Sequence, residues 1–281
     1  MNINWFPGHM VKTKREIKEN LKLVDAVIEI RDARIVISSK NPVIDDLCGN
    51  KPRVILLNKC DLAEDRVTKQ WIKVLSSENI SVLAVNSNTG AGLNLIKPAL
   101  NNILKNKHDK MKSKGVSNIV DRVMVVGIPN VGKSTFINKI ARSKIAKTGN
   151  KPGVTKSKQW IKTKYGIELM DTPGILWPKL ESKKTQLNLS FTGAIKDEII
   201  DIEELALNLI DVLSKNHADR LIKRYKIDSL SSEAIENMDN IARKRGAIIK
   251  GGQIDYNRIS NIILEEYRSG KLGPISLEYP D

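Results

Sequence analysis

Gly127-Ile-Pro-Asn-Val-Gly-Lys133-Ser134 is the stretch that decides the fold. It has the spacing G-x-x-x-x-G-K-[ST]. The apolar run Val123–Val126 precedes it and reads as a buried strand, and a helical pattern starts at about Lys133. Between a strand and a helix, such glycines let backbone N–H groups close around phosphates, and the helix N-terminus adds its positive end. Asn130, Val131, Gly132, Lys133, Ser134 and Thr135 are therefore candidate phosphate-binding residues. Lys133 is expected to reach the β- and γ-phosphates, and the Ser134 hydroxyl to sit on Mg²⁺.

Further along, Asp171-Thr-Pro-Gly174 follows the predicted strand Ile167–Met170. An aspartate ending a buried strand beside a phosphate loop is placed to hold Mg²⁺ through water. The Gly174 N–H can then meet a γ-phosphate. Residues 142–158 lack apolar periodicity and contain Gly149, Pro152 and Gly153, so they read as a loop. Thr155 within it is expected to close on Mg²⁺ and the γ-phosphate when the nucleotide binds.

Upstream, Asn58-Lys-Cys-Asp61 follows the apolar run Val54–Leu57. The Asp61 carboxylate can accept from the N1–H and the exocyclic amine of guanine, a donor pair that adenine lacks, so GTP and GDP are the expected ligands. Asn58 either bonds the guanine edge or ties loops together, and the Lys59 stem can lie over the base. Ser87-Asn88 follows the run Val82–Val85, where a second base-contacting loop would fall. There the Asn88 N–H is the candidate donor to guanine O6.

Ala26–Ile30, Val54–Leu57 and Val82–Val85 are short, rich in β-branched residues and bounded by polar ones, as buried parallel strands are. Helical patterns over Val11–Leu23, Pro42–Cys48, Glu64–Ser77 and Leu93–Lys105 alternate with them, and Gln159–Lys164 with Ile167–Met170 suggests a hairpin. Past Thr192 the pattern is purely helical, over Ile202–Leu213, His217–Tyr225, Glu233–Lys244 and Ile254–Tyr267. The expected fold is α/β: a P-loop domain over 1–194 with a mostly parallel sheet and helices on both faces, then a small all-α domain over 195–281. The polar, basic stretch Lys107–Asn118 is the expected joining linker within the first.

The base-reading motif precedes the phosphate loop, the reverse of the usual order. Joining the old chain ends through 107–118 and cutting after the Asp171 loop produces the order seen. In this the chain resembles the circularly permuted GTPases, a group known for ribosome assembly. Specific strings carry the likeness across nearly the whole chain: Trp5-Phe-Pro-Gly-His-Met10, Asp25 to Arg34 with its Asp32-Ala-Arg34 core, Arg243-Lys-Arg-Gly246, Gly251-Gly252 and Gly270-Lys-Leu-Gly273. The resemblance implies a cytoplasmic, GTP-hydrolysing factor that binds the immature large ribosomal subunit through rRNA and ribosomal proteins. It also implies that His9 orients or activates water, and that Asn130 helps hold K⁺ against the phosphates. Ile175 stands where many GTPases carry a water-orienting glutamine, so the intrinsic rate is expected to be low and raised by the large subunit. The alternative is an RNA-binding scaffold whose GTP site switches but scarcely turns over.

Charge fits a polyanionic partner. Net charge is +15, and residues 105–164 hold 16 basic side chains against two acidic ones, Asp109 and Asp121. The C-terminal part is slightly acidic, so it binds either RNA through a local patch such as Arg243, Lys244, Arg245 and Lys250, or ribosomal protein. No apolar run is long enough to span a bilayer, and Met1–Lys22 has no signal-peptide core. Cys48 and Cys60 lack metal-ligand spacing and are expected as reduced thiols in a protein that is monomeric when free.

Overall fold

The computed structural model describes residues 15–142, 160–172 and 182–280. Six strands form one sheet: β1 (Ala26–Asp32), β2 (Arg53–Asn58), β3 (Ile80–Ala84), β4 (Asp121–Val126), β5 (Ile161–Lys162) and β6 (Ile167–Asp171). Their order across the sheet is β3-β2-β1-β4-β6-β5. Pairing is parallel from β3 through to β6, and β5 adds antiparallel at the edge as the far arm of the expected hairpin. The permutation is visible in this order: β1 lies between β2 and β4, so the base-reading and phosphate-binding halves meet at the centre of the sheet.

Side-chain alternation divides the core in two. Ala26, Ile28, Ile30, Val54, Leu56, Val123 and Val125 face one side, with α4 (Ile96–Ile103) and α6 (Lys133–Ile140). Val27, Met124 and Val126 face the other and pack on Ile17 and Leu21 of α1, helical over 15–21, and on Ile44 of α2 (Pro42–Cys48). Ile55 and Leu57 on that side meet Val67 and Trp71 of α3 (Asp65–Leu75). The expected start of α1 at Val11 lies outside the described residues. α2 begins as its sequence dictates: Pro42 opens the helix and the Asn41 side chain accepts the Val43 N–H at 3.0 Å. Buried charge on β1 is paired, since Glu29 accepts from Arg31 at 2.7 Å and from Arg53 at 3.0 Å.

The stretch 107–118, expected to be only a joining linker, is helical through Ser113 as part of α5 (Lys105–Ser113). Asp121, fully buried at the start of β4, explains the docking. Its carboxylate holds the His108 ring at 2.7 Å and the Lys97 ammonium at 2.7 Å. Apolar periodicity could not announce this helix, because a buried carboxylate rather than an apolar stripe attaches it.

The remaining helices are α7 (Lys183–Phe191), α8 (Ile202–Asn216), α9 (Ala218–Tyr225), α10 (Ala234–Arg245) and α11 (Tyr256–Arg268). Asp201 caps α8 by accepting the Glu203 and Glu204 N–H groups at 3.0 Å, and Leu205, Leu209 and Leu213 are core, as their spacing predicts. α7 packs on α8 and α11, and one apolar core runs unbroken from the sheet into these helices, so the expected boundary at 194/195 falls within packed structure. The chain then returns to the sheet. The Ile275 N–H donates to the Leu62 carbonyl and the Leu277 N–H to that of Arg34, both at 2.9 Å. Among the described residues no helix is long and apolar enough to cross a membrane.

Candidate functional site

The C-terminal ends of parallel strands share one edge of a sheet, and in open α/β folds ligands bind there, at the point where strand order reverses. The loops after β2, β3, β4 and β6 bring the sequence-predicted residues to that edge. The loop after β4 carries Asn130 in the left-handed region (φ 58°) and Gly132 at φ 100°, and α6 starts at Lys133. Only glycine fits at 132: a Cβ there would lie 2.3 Å from Asn58 Nδ2. Ser134 and Thr135 are exposed in the first turn of α6.

Lys133 and Asp171 interact across this edge. Desolvation lowers the pKa of the Lys133 ammonium, with the Asp171 charge opposing. Desolvation likewise raises the Asp171 carboxyl, with Lys133 opposing. Asp171 reaches this place because β6 pairs with β4 in a register that sets Asp171 against Val125, two residues before the loop. Thr172 secures the turn by donating its hydroxyl to the Val125 carbonyl at 2.7 Å. An oxygen-only set of one hydroxyl and one carboxylate suits Mg²⁺, which takes its other ligands from phosphates and water.

Asn58 settles an alternative left open in the sequence: it ties loops together. Its Nδ2 donates to the Val131 carbonyl at 2.7 Å, and its Oδ1 accepts the Ser87 N–H at 3.0 Å. Lys59, also left-handed at φ 58°, extends its ammonium to the Asn130 carbonyl at 3.0 Å. Asp61 follows in a short 3₁₀ turn, Cys60–Leu62, and is exposed. The Ser87 hydroxyl is buried with no hydrogen-bond partner. Such a group costs about 1–3 kcal/mol unpaired, and a ligand can relieve that cost.

Asn88 requires a correction. Its N–H, the expected donor to guanine O6, already donates to Asn86 Oδ1 at 2.9 Å, as the Thr89 N–H does at 3.0 Å. The Asn88 carbonyl in turn accepts from the Lys139 ammonium at 2.9 Å. The cause is an Asx turn: Asn86 caps the loop that Gly90 closes by donating to the Asn86 carbonyl at 2.8 Å. Asn86 was missed in the sequence, although Asn86-Ser-Asn-Thr-Gly90 carries the turn composition that signals it. Asp32 stands in the sequence only within the Asp32-Ala-Arg34 string, which assigns it no role; a charged residue closing the apolar run of β1 is the physical sign of one.

The Asn130 side chain faces the helices rather than standing free, donating to the Gly193 carbonyl at 2.8 Å. Its K⁺ assignment therefore concerns the amide oxygen alone. His9, Thr155, Gly174 and Ile175 lie outside the described residues, as does the Trp5–Met10 string.

Comparison with known proteins agrees with the fold. A family model described as "50S ribosome-binding GTPase" matches residues 122–244. The chain is 49% identical over its whole length to Ribosome biogenesis GTPase A of Bacillus licheniformis, covering 99% of that protein. It is 32% identical over 99% of its length to the Thermotoga maritima protein of the same name, covering 95% of it. It is 31% identical over 98% of its length to Mitochondrial ribosome-associated GTPase 1 of Mus musculus, covering 89% of it. A solved structure of GNP-bound YlqF from T. maritima aligns with a TM-score of 0.64 at 29% identity, covering 96% of this chain and 99% of that one. Full-length identity, the permuted motif order and the convergence of the motifs on one sheet edge together place the chain in the ribosome biogenesis GTPase A family of circularly permuted GTPases.

Proposed function

We propose that this GTPase binds the immature large ribosomal subunit and couples GTP binding and hydrolysis to its late maturation in the cytoplasm. The observation that carries the reading is the central position of Asn58. One side chain holds the phosphate loop and the base loop at fixed spacing, and Lys133, Asp171 and Asp61 lie at the C-terminal edge of the same sheet. In this reading Asp61 selects guanine, Ser87 and Lys59 border the base, and residues 130–135 hold the phosphates. Ser134, Asp171 and Thr155 hold Mg²⁺, which when bound offsets phosphate charge. Gly174 meets the γ-phosphate, His9 orients water, and the Asn130 amide oxygen assists K⁺.

The large subunit is favoured by the excess of basic side chains over 105–164 and by the 50S-binding description of the matching family model. The bond from Asn130 to Gly193 gives the nucleotide site a direct hold on the helical part. Nucleotide state can thereby bias particle affinity, and the particle must bias the nucleotide site by the same factor.

The test is GTP turnover in K⁺ buffer, alone, with purified large subunits and with small subunits as control. Slow turnover raised by large subunits only is the expected result. Equal rates in all three, or equal particle affinity of the GDP and GTP-analogue forms, would overturn the proposal. Sedimentation of the free protein should show a monomer.

A further inference from the structure

Asp32 closes β1 in register with Asn58 of β2 and is 2% exposed. Its carboxylate accepts the Arg34 N–H at 3.1 Å, Arg34 Nε at 2.9 Å and Arg34 Nη2 at 2.8 Å. Its Oδ2 lies 3.0 Å from the Lys59 ammonium. Arg34 is itself buried, with its guanidinium over the Tyr267 ring at 5.2 Å, so the carboxylate rests on an immobile cation. Burial alone would raise the Asp32 carboxyl, but Arg34 and Lys59 outweigh it and hold the group far below the usual carboxylate range.

The Lys59 ammonium therefore has two oxygen anchors, Asp32 Oδ2 on one side and the Asn130 carbonyl on the other, each at 3.0 Å. A lysine carries four rotatable bonds and about 2 kcal/mol of rotamer entropy. Between two fixed anchors that freedom is removed before a nucleotide arrives. The stem is left stretched from the Asn58–Asp61 loop to the phosphate loop, as a flat surface for the base.

We propose that Asp32 is a positioning residue for guanine-nucleotide binding, acting through Lys59 by holding its ammonium against the phosphate loop. The proposal rests on the assignment of Asn58–Asp61 to the base. Preorganisation of this kind raises affinity by lowering the ordering cost of binding, so it should affect GDP and GTP alike.

The experiment is equilibrium binding of fluorescent mant-GDP to the full chain as wild type, Asp32→Asn, Lys59→Met and the double variant. Asp32→Asn should bind roughly tenfold more weakly, and the double variant should bind as Lys59→Met does, since Asp32 then has nothing left to position. A full Asp32→Asn loss persisting on the Lys59→Met background would show a merely structural role and overturn the proposal. So would unchanged affinity in Asp32→Asn. Failure of wild type to bind mant-GDP would instead sink the assignment of the loop to guanine, and the proposal with it. If Asp32→Asn does not fold, nucleotide-free wild type still decides. The Lys59 ¹⁵Nζ signal, assigned by its loss in Lys59→Met, should exchange its protons at least tenfold more slowly than that of exposed Lys69. Equal exchange would overturn the proposal.

Discussion

Asn130 in the phosphate loop donates its side-chain amide to the Gly193 carbonyl at 2.8 Å, and so joins the nucleotide site to the turn that ends α7. Arg268 of α11 organises the same turn by donating to the Ser190 carbonyl at 2.8 Å and the Phe191 carbonyl at 3.0 Å. Asn130→Ala removes the bond and puts a residue less tolerant of φ 58° in its place. The expected cost is about 2 kcal/mol, the sum of a hydrogen bond and left-handed strain. Thermal denaturation without nucleotide should show it, and turnover compared in K⁺ and Na⁺ should show whether cation preference falls with it.

Base selectivity should follow Asp61, the exposed carboxylate after Lys59 and Cys60. Asp61→Asn replaces an acceptor pair with one donor and one acceptor, a match for xanthine rather than guanine. The expected result is a large loss of GDP affinity together with a gain for XDP, measured by competition against mant-GDP. Loss for both would show that Asp61 supports the loop without reading the base.

Lys133→Ala should leave the fold intact and abolish hydrolysis, because the residue is in the first turn of α6 at the open edge of the sheet. Circular dichroism unchanged within error, with turnover at least 10²-fold lower, is the expected pair of results, since the charge of Lys133 would stabilise the transferring phosphate.

Acid should loosen α5. The Asp121 carboxyl is lowered by Lys97 and His108 against the opposing effect of burial. A group whose folded pKa is depressed stabilises the protein above its unfolded value, about 4, and that contribution fades as pH falls through the folded value. Asp121→Asn should therefore cost roughly 3 kcal/mol at pH 7 and less at pH 3. Urea midpoints at the two pH values give the comparison.

Residues 275–280 should behave as a clasp. The Glu278 carboxylate accepts the Ile37 N–H at 2.6 Å, the Ser38 N–H at 3.1 Å, the Asn188 amide at 3.0 Å and the Ser38 hydroxyl. Glu278→Ala takes the shared acceptor from the Ile37 and Ser38 N–H groups, while the Asn188 amide keeps the Ser38 hydroxyl at 3.1 Å, and is expected to cost about 3 kcal/mol. Removing residues 275–281 also frees the Trp71 indole, which donates to the Glu278 carbonyl at 3.2 Å, so tryptophan emission should shift to the red.

Local chemistry made the phosphate loop, its flanking strand and helix, the Asn58–Asp61 loop and the helical C-terminal part legible in the sequence. Each depends on spacing within a few residues: glycines where the backbone must approach closely, a polar residue after an apolar run, and apolar residues at helical intervals. Motif order alone also exposed the permutation. Tertiary structure decided which of Asn58's two roles holds, because that depends on the Val131 carbonyl and the Ser87 N–H arriving from distant strands. It docked α5 through buried Asp121 and set Asp32 beside Lys59. The reason is common to all three. A polar side chain carries directional donors and acceptors but no periodic signature, so its partner is fixed only when the packed sheet brings the two together.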